Sequence, residues 1–152
     1  MSSKLNKQLS ELVSFIKKGD QFNPMVSNKG TYWHLDHSLQ VLHAILKALT
    51  NSNPEDYQPK FSLPKLTIMT TGFIPRGKGR APKQTIPAGK ISEEELFSAL
   101  EKIKEAKKNL NDLSKNNHFR HPLFGCLNLN DAIKFMRIHT QHHLKIMRDI
   151  VK

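Results

Sequence analysis

The sequence predicts an all-α protein, a four-helix bundle with a long basic insertion between its second and third helices. Apolar residues recur at spacings of three and four in four long segments, the period of a helix with one buried face. No segment alternates convincingly enough to predict a β-hairpin, and prolines and glycines concentrate in one stretch, residues 52–92. A length of 152 residues fits a single domain over 1–152.

The first two helices are predicted from the spacing of their leucines. Residues 3–18 carry Leu5, Leu9 and Leu12 on one face, and Gly19 ends the pattern. A second helix, predicted over 31–51, carries apolar residues on most of its circumference, which places it at the centre of the fold.

The insertion and the last two helices are predicted from local signals. Residues 62–72 fit a short helix between Ser62 and Gly72, although their β-branched residues also allow a strand. Ser92 and Glu95 form a capping box that begins a third long helix, expected to reach about residue 114. A loop is expected over 115–126, after which Asn128 or Asn130 caps the last helix.

Two histidines in the last helix, His139 and His143, are four residues apart and therefore lie on one face. They belong to a stripe that is otherwise apolar, so each imidazole occupies a position where a core side chain is expected. Buried polar groups need partners, and adjacent imidazoles can share a metal ion. Histidines bonded to buried polar groups are the alternative. Residue 140 is Thr140 rather than glutamate, which excludes the metalloprotease helix motif.

A third ligand is expected from the second helix, which offers three histidines. His37 lies on the stripe of Trp33 and Val41 and is preferred. His34 is predicted to support the site from behind or to be the rival ligand, and His43 is predicted to face solvent. In the last helix, His142 points about 100° away from His143, toward solvent or the rim of the site.

The chain is strongly basic, with 24 lysines and arginines against 13 acidic residues and a net charge of +11. Segment 61–92 contains six basic residues and no acidic one. Arg76, Lys78 and Arg80 in its glycine-rich loop could form a rim for an anionic substrate. A solvated loop is the simpler reading, and nucleic-acid binding is less favoured because aromatic residues are not interleaved with the charges.

The single cysteine, Cys126, excludes an internal disulfide bond and is expected to be buried and inert. No apolar run long enough for a signal peptide or membrane span is present. Together these features favour a cytoplasmic protein without a membrane partner.

Three motifs occur in order: Trp-His-Leu-Asp-His-Ser-Leu from Trp33, His-Pro-Leu-Phe-Gly from His121, and His-Thr-Gln-His-His-Leu from His139. With the Ile-Pro-Arg-Gly-Lys-Gly segment between the first two, this chain resembles the DinB/YfiT-like superfamily from about residue 30 to 150, in particular a bacterial branch without assigned activities. The resemblance implies a four-helix bundle, a homodimer, and a metal-binding triad of His37, His139 and His143.

Two functions follow as expectations. Members of the family with assigned activities are similar to metal-dependent thiol transferases, isomerases and hydrolases, so the first is a metal-dependent hydrolase or thiol transferase acting on a small molecule, with zinc, nickel or iron as its ion. No general base is evident, because Asp36 is expected to be a solvated surface acid. The second is a non-catalytic module that binds anions or nucleic acid through its basic surface.

Overall fold

The computed structural model describes residues 3–152, and this part of the chain is mainly helical. The helices are α1 (Ser3–Lys17), α2 (Thr31–Asn51), α3 (Leu63–Thr71), α4 (Glu93–Lys108) and α5 (Leu129–Ile150). Two short strands, β1 (His118–His121) and β2 (Gly125–Asn128), form an antiparallel pair. Single 3-10 turns occupy Pro54–Asp56, Lys83–Thr85 and Asn109–Asp112.

Helix α2 lies at the centre, in contact with α1, α4 and α5. The physical reason is its leucine stripe, of which every member is essentially inaccessible to solvent: Leu35, Leu39, Leu42, Leu46 and Leu49. Burying these side chains contributes about 1.5–3 kcal/mol each before the cost of ordering the chain. The central position predicted for this helix is confirmed.

Helices α1 and α5 pack together and are also joined by ionic contacts. Arg148 donates from both Nε and an Nη nitrogen to the two carboxylate oxygens of Glu11, at 2.6 Å each. This two-pronged geometry is the strong form of an arginine–carboxylate pair, and it adds a directional contact to the packing of α5 on α1.

Residues 63–71 form a helix, which decides between the two alternatives left open by the sequence. The Ser62 hydroxyl accepts a hydrogen bond from the Lys65 amide, and Gly72 ends the helix with φ of 64°. These caps outweigh the β-branched residues between them. A 2.6 Å salt bridge from Lys65 to Asp131 ties α3 to α5.

The expectation of a loop over 115–126 without a hairpin is wrong, because β1 and β2 pair there. Phe119 lies opposite Leu127 and both are buried, so the pair is held by the core as well as by its ladder. Gly125 supplies the left-handed backbone, with φ of 71°, at which β2 begins. Strands of four residues carry too little alternation for the period to be recognised in the sequence.

The sequence also predicted the start of α5 and both ends of α4. Asn128 caps α5 through the Asp131 amide, and the Ser92–Glu95 capping box is present. Helix α4 ends at Lys108 and not near residue 114, because a 3-10 turn follows and still buries Leu110. The apolar spacing therefore extends past the last residue of α4 into the 3-10 turn, and this is why the sequence predicted a longer helix.

Within residues 3–152, no helix combines the length and the apolar character that crossing a bilayer requires. Cys126 is buried with a free thiol, as expected.

Candidate metal centre

The three histidines predicted from the sequence come together in the core. His37 comes from α2, and His139 and His143 come from adjacent turns of α5. Each offers one ring nitrogen, and these three atoms all lie within 4.8 Å of one another. His37 and His143 are buried, whereas His139 is half-buried. The three side chains are thus close enough to bind a metal ion.

The His37 ring is held by two contacts. Its Nδ1 lies 2.7 Å from the carbonyl oxygen of Thr85, which can only accept, so Nδ1 carries the proton and Nε2 keeps its lone pair. Trp33 stacks on the imidazole with ring centroids 5.1 Å apart and an angle of 19°. A backbone carbonyl that fixes the tautomer in this way is the usual partner of a metal-binding histidine.

His143 is held by a second histidine. Its Nδ1 lies 3.0 Å from Nδ1 of His34, and Nε2 of His34 lies 3.0 Å from the hydroxyl oxygen of Ser27. One proton is shared between the two Nδ1 atoms. If it resides on His143, that ring presents an unprotonated Nε2, and His34 donates from its own Nε2 to Ser27. His34, itself buried, stands behind the triad and is not one of the three clustered groups.

His139 has an unsatisfied atom. Its Nδ1 is buried and has no hydrogen-bond partner among residues 3–152. An unpaired buried polar atom is costly, and most such atoms in folded proteins have a partner. A ring nitrogen without a partner beside two oriented imidazoles fits a site that takes a cation.

Burial keeps these imidazoles neutral. The pKa of His37 is lowered mainly by burial, and the pKa values of His139 and His143 lie well below their usual range because of burial and of the neighbouring histidines. Burial, together with nearby His37, His142 and Arg76, lowers the pKa of His34 to about 4. At neutral pH the group therefore offers lone pairs, which is the form that binds metals.

The basic loop reaches the edge of the site at one point. Arg76 forms a 2.8 Å salt bridge with Asp149, and its charge helps to lower the pKa values of His34 and His142, although burial is the main cause in both. Lys78 and Arg80 are exposed and form no salt bridge among the residues described. Among the residues described, no hydrogen bond or salt bridge joins Lys78 or Arg80 to His37, His139 or His143.

Three further residues considered from the sequence, His43, His142 and Asp36, lie at or near the positions expected for them. His43 is exposed and His142 is half-buried at the rim. Asp36 is half-buried rather than fully solvated, and it accepts a hydrogen bond from Gln40 at 2.6 Å. It makes no hydrogen bond to the triad.

Sequence reasoning did not find two contributors, the Thr85 carbonyl and the Ser27 hydroxyl. Every residue has a backbone carbonyl, so no residue type marks the one that will orient His37. Ser27 lies in an irregular segment, where serine is ordinary. Only the folded chain brings them to the histidines.

Neither the protein-family models, nor the curated proteins, nor the solved structures contain a match to this chain.

Proposed function

We propose that this protein is a DinB/YfiT-like metalloprotein in which His37, His139 and His143 hold zinc, nickel or iron. On this proposal it acts as a metal-dependent hydrolase or thiol transferase on a small molecule. The observation that carries the proposal is the convergence of three ring nitrogens within 4.8 Å from two different helices. Three protein ligands with a free position for water or substrate are typical of catalytic zinc sites.

The state of each imidazole supports the proposal. His37 is fixed in the tautomer that leaves Nε2 free, and His143 can be fixed in the same way by His34. A cation bound among the three would find neutral donors and would give the His139 ring a partner. A purely structural cluster would instead be expected to satisfy its own nitrogens.

A divalent ion held by the three histidines would supply Lewis acidity, which polarises a carbonyl or lowers the pKa of water or a thiol. Arg76, Lys78 and Arg80 would favour the approach of an anionic substrate, and the charge of Arg76 also acts on His34. As part of the same proposal, the protein is cytoplasmic and a homodimer.

The fold belongs to the proposal as well. Helices α1, α2, α4 and α5 would constitute the four-helix bundle, with residues 52–92 as the insertion that contributes Thr85. Contacts of α2 with the other three long helices and of α1 with α4 and α5 support this arrangement.

The test is the metal content of the full chain purified without an affinity tag and then reconstituted with Zn²⁺, Ni²⁺ or Fe²⁺. We expect about one ion per chain by elemental analysis, and a melting temperature that rises with metal because only the folded chain holds the site. A His139→Ala/His143→Ala variant should retain neither the ion nor the shift in melting temperature.

His43→Ala is the matched control, since it removes an exposed histidine from α2 and should bind metal as the wild type does. Equal and negligible metal in the wild type and the double variant, even after reconstitution, would refute the proposal.

A further inference from the structure

A cavity lies beside the hairpin that β1 and β2 form. Its volume is about 440 Å³, and it is lined by Gln58, Pro59, Lys60, Arg120, His121, Gly125 and Cys126. This volume is within the range of small-molecule sites. None of the three clustered histidines lines it.

The walls of this hairpin cavity are fixed to each other at several points. The Ser52 hydroxyl accepts a hydrogen bond from the His118 amide at 2.9 Å, and the Ser62 hydroxyl donates to the Leu123 carbonyl at 3.0 Å. Between these contacts, Cβ of Lys60 approaches so near to Gly125 that an added Cβ would lie 3.5 Å from it. Segment 52–62 is therefore held against the hairpin, and the space between them belongs to the fold.

The charge of the lining has one sign. Lys60 and Arg120 are both exposed, and neither forms a salt bridge with any residue described. No carboxylate lines the cavity. Two cations without counter-charges at a concave site attract an oxyanion, and the arginine guanidinium can bind a carboxylate or phosphate through two parallel hydrogen bonds.

His121 adds to the lining a ring whose tautomer and orientation are both fixed. The Leu123 amide donates to its Nδ1 at 3.1 Å, so the proton of the neutral ring is on Nε2. The ring stacks on Phe124 with centroids 3.9 Å apart and an angle of 11°, which fixes its orientation. Burial lowers the pKa of His121 to about 4, so the ring is a neutral donor at physiological pH.

We propose that the hairpin cavity binds a small organic oxyanion, a phosphate- or carboxylate-bearing molecule whose charged group contacts Arg120 and Lys60 while its body lies against His121. A volume of about 440 Å³ leaves room for an organic body beside the charged group. The proposal does not depend on metal, because no residue is shared with the triad.

The test uses the full chain in NMR titrations with phenyl phosphate, benzoate and neutral benzyl alcohol, in buffer without phosphate and with chelator present. We expect saturable shifts of the Arg120, His121 and Gly125 amide signals with at least one of the two anions. The anion that binds more tightly identifies the charged group. Benzyl alcohol should bind at least about tenfold more weakly, because it cannot accept charge-assisted hydrogen bonds.

Arg120→Gln should weaken anion binding about tenfold, and Lys60→Gln/Arg120→Gln should abolish the saturable shifts. Both residues are exposed, so the substitutions leave the core intact. Lys102→Gln removes an exposed charge of the same sign from α4 and should bind as the wild type does. Non-saturable shifts spread over the basic surface, equal binding of benzyl alcohol, or equal affinity in the Arg120 and Lys102 variants would overturn the proposal.

Discussion

Nδ1 of His34 lies 3.0 Å from Nδ1 of His143, so one histidine of the core orients another. His34 lies one helical turn before Ser38, whose hydroxyl donates to the His34 carbonyl at 2.7 Å, and it is buried at 4% exposure. The sequence left His34 between the roles of ligand and supporting residue. The clustered nitrogen atoms come from the other three histidines, so we expect His34 to support the site through His143.

The first prediction concerns this contact. His34→Ala should weaken Zn²⁺ binding about 10–100-fold, because His143 loses the partner that fixes its tautomer and ring orientation. Ser27→Ala, one step further away, should have a smaller effect in the same direction. Competition with a chromophoric chelator measures both dissociation constants. His43→Ala is the control, and a His34→Ala affinity equal to that of the control would contradict the role assigned to His34.

A second prediction concerns the start of α4. The Ser92 hydroxyl accepts from the Glu95 amide at 3.2 Å while the Glu95 carboxylate accepts from the Ser92 amide at 2.9 Å. Ser92→Ala should lower the free energy of unfolding by about 1 kcal/mol, since it leaves the Glu95 amide without its acceptor. Urea denaturation measures the change. Ser98→Ala, at an exposed position inside the same helix, should be neutral or slightly stabilising, and an equal loss in both variants would contradict the capping argument.

A third prediction concerns the hairpin. Gly125→Ala should lower the free energy of unfolding by about 1–2 kcal/mol, because φ of 71° is strained for a residue with a Cβ. The nearest atom to that Cβ, at 3.5 Å, is in ordinary contact, so the loss would come from backbone strain and not from a clash. Gly79→Ala is the matched control, having neither a positive φ nor a neighbour within 4 Å. Thermal denaturation of the two variants should separate them, and equal melting temperatures would count against strain at Gly125.

A fourth prediction concerns pH. Burial lowers the pKa of His121 to about 4 from its ordinary value of 6.5. Below pH 6.5 the unfolded chain takes up a proton that the folded chain does not, so the free energy of unfolding falls as the pH drops toward 4. The contribution is fully present above pH 6.5. Because the ring is partly open to solvent, we expect it to be about 2 kcal/mol or less.

His121→Gln should therefore flatten the fall in stability between pH 6.5 and pH 4, measured by urea denaturation with chelator present. The absolute stability of this variant at neutral pH is not the readout, since the ring also packs on Phe124. Ser98→Ala, which changes no titratable group, should keep the slope of the wild type. Identical slopes for His121→Gln and the wild type would refute the prediction.

Spacing along the chain predicted most of the helical framework and all three residues of the candidate site. Leucines at steps of three and four specified α2, and the four-residue interval of His139 and His143 specified a shared face, because both depend only on the local geometry of a helix. His37 was predicted because it lies on the same stripe of the second helix as Trp33 and Val41. The capping box at Ser92 marked one helix start, because capping is also local. At Ser62 and Asn128 the structure chose between alternatives that the sequence left open.

Tertiary structure decided what depends on distant parts of the chain. The hairpin exists because Phe119 and Leu127 pack in the core, and four-residue strands carry no pattern strong enough to predict them. The Thr85 carbonyl reaches His37 across 48 positions of sequence, and His34 meets His143 across 109. Residues near each other in sequence do not reveal such contacts. Any backbone carbonyl could have bonded His37, and α2 offered three histidines from which the partner of His143 could have come.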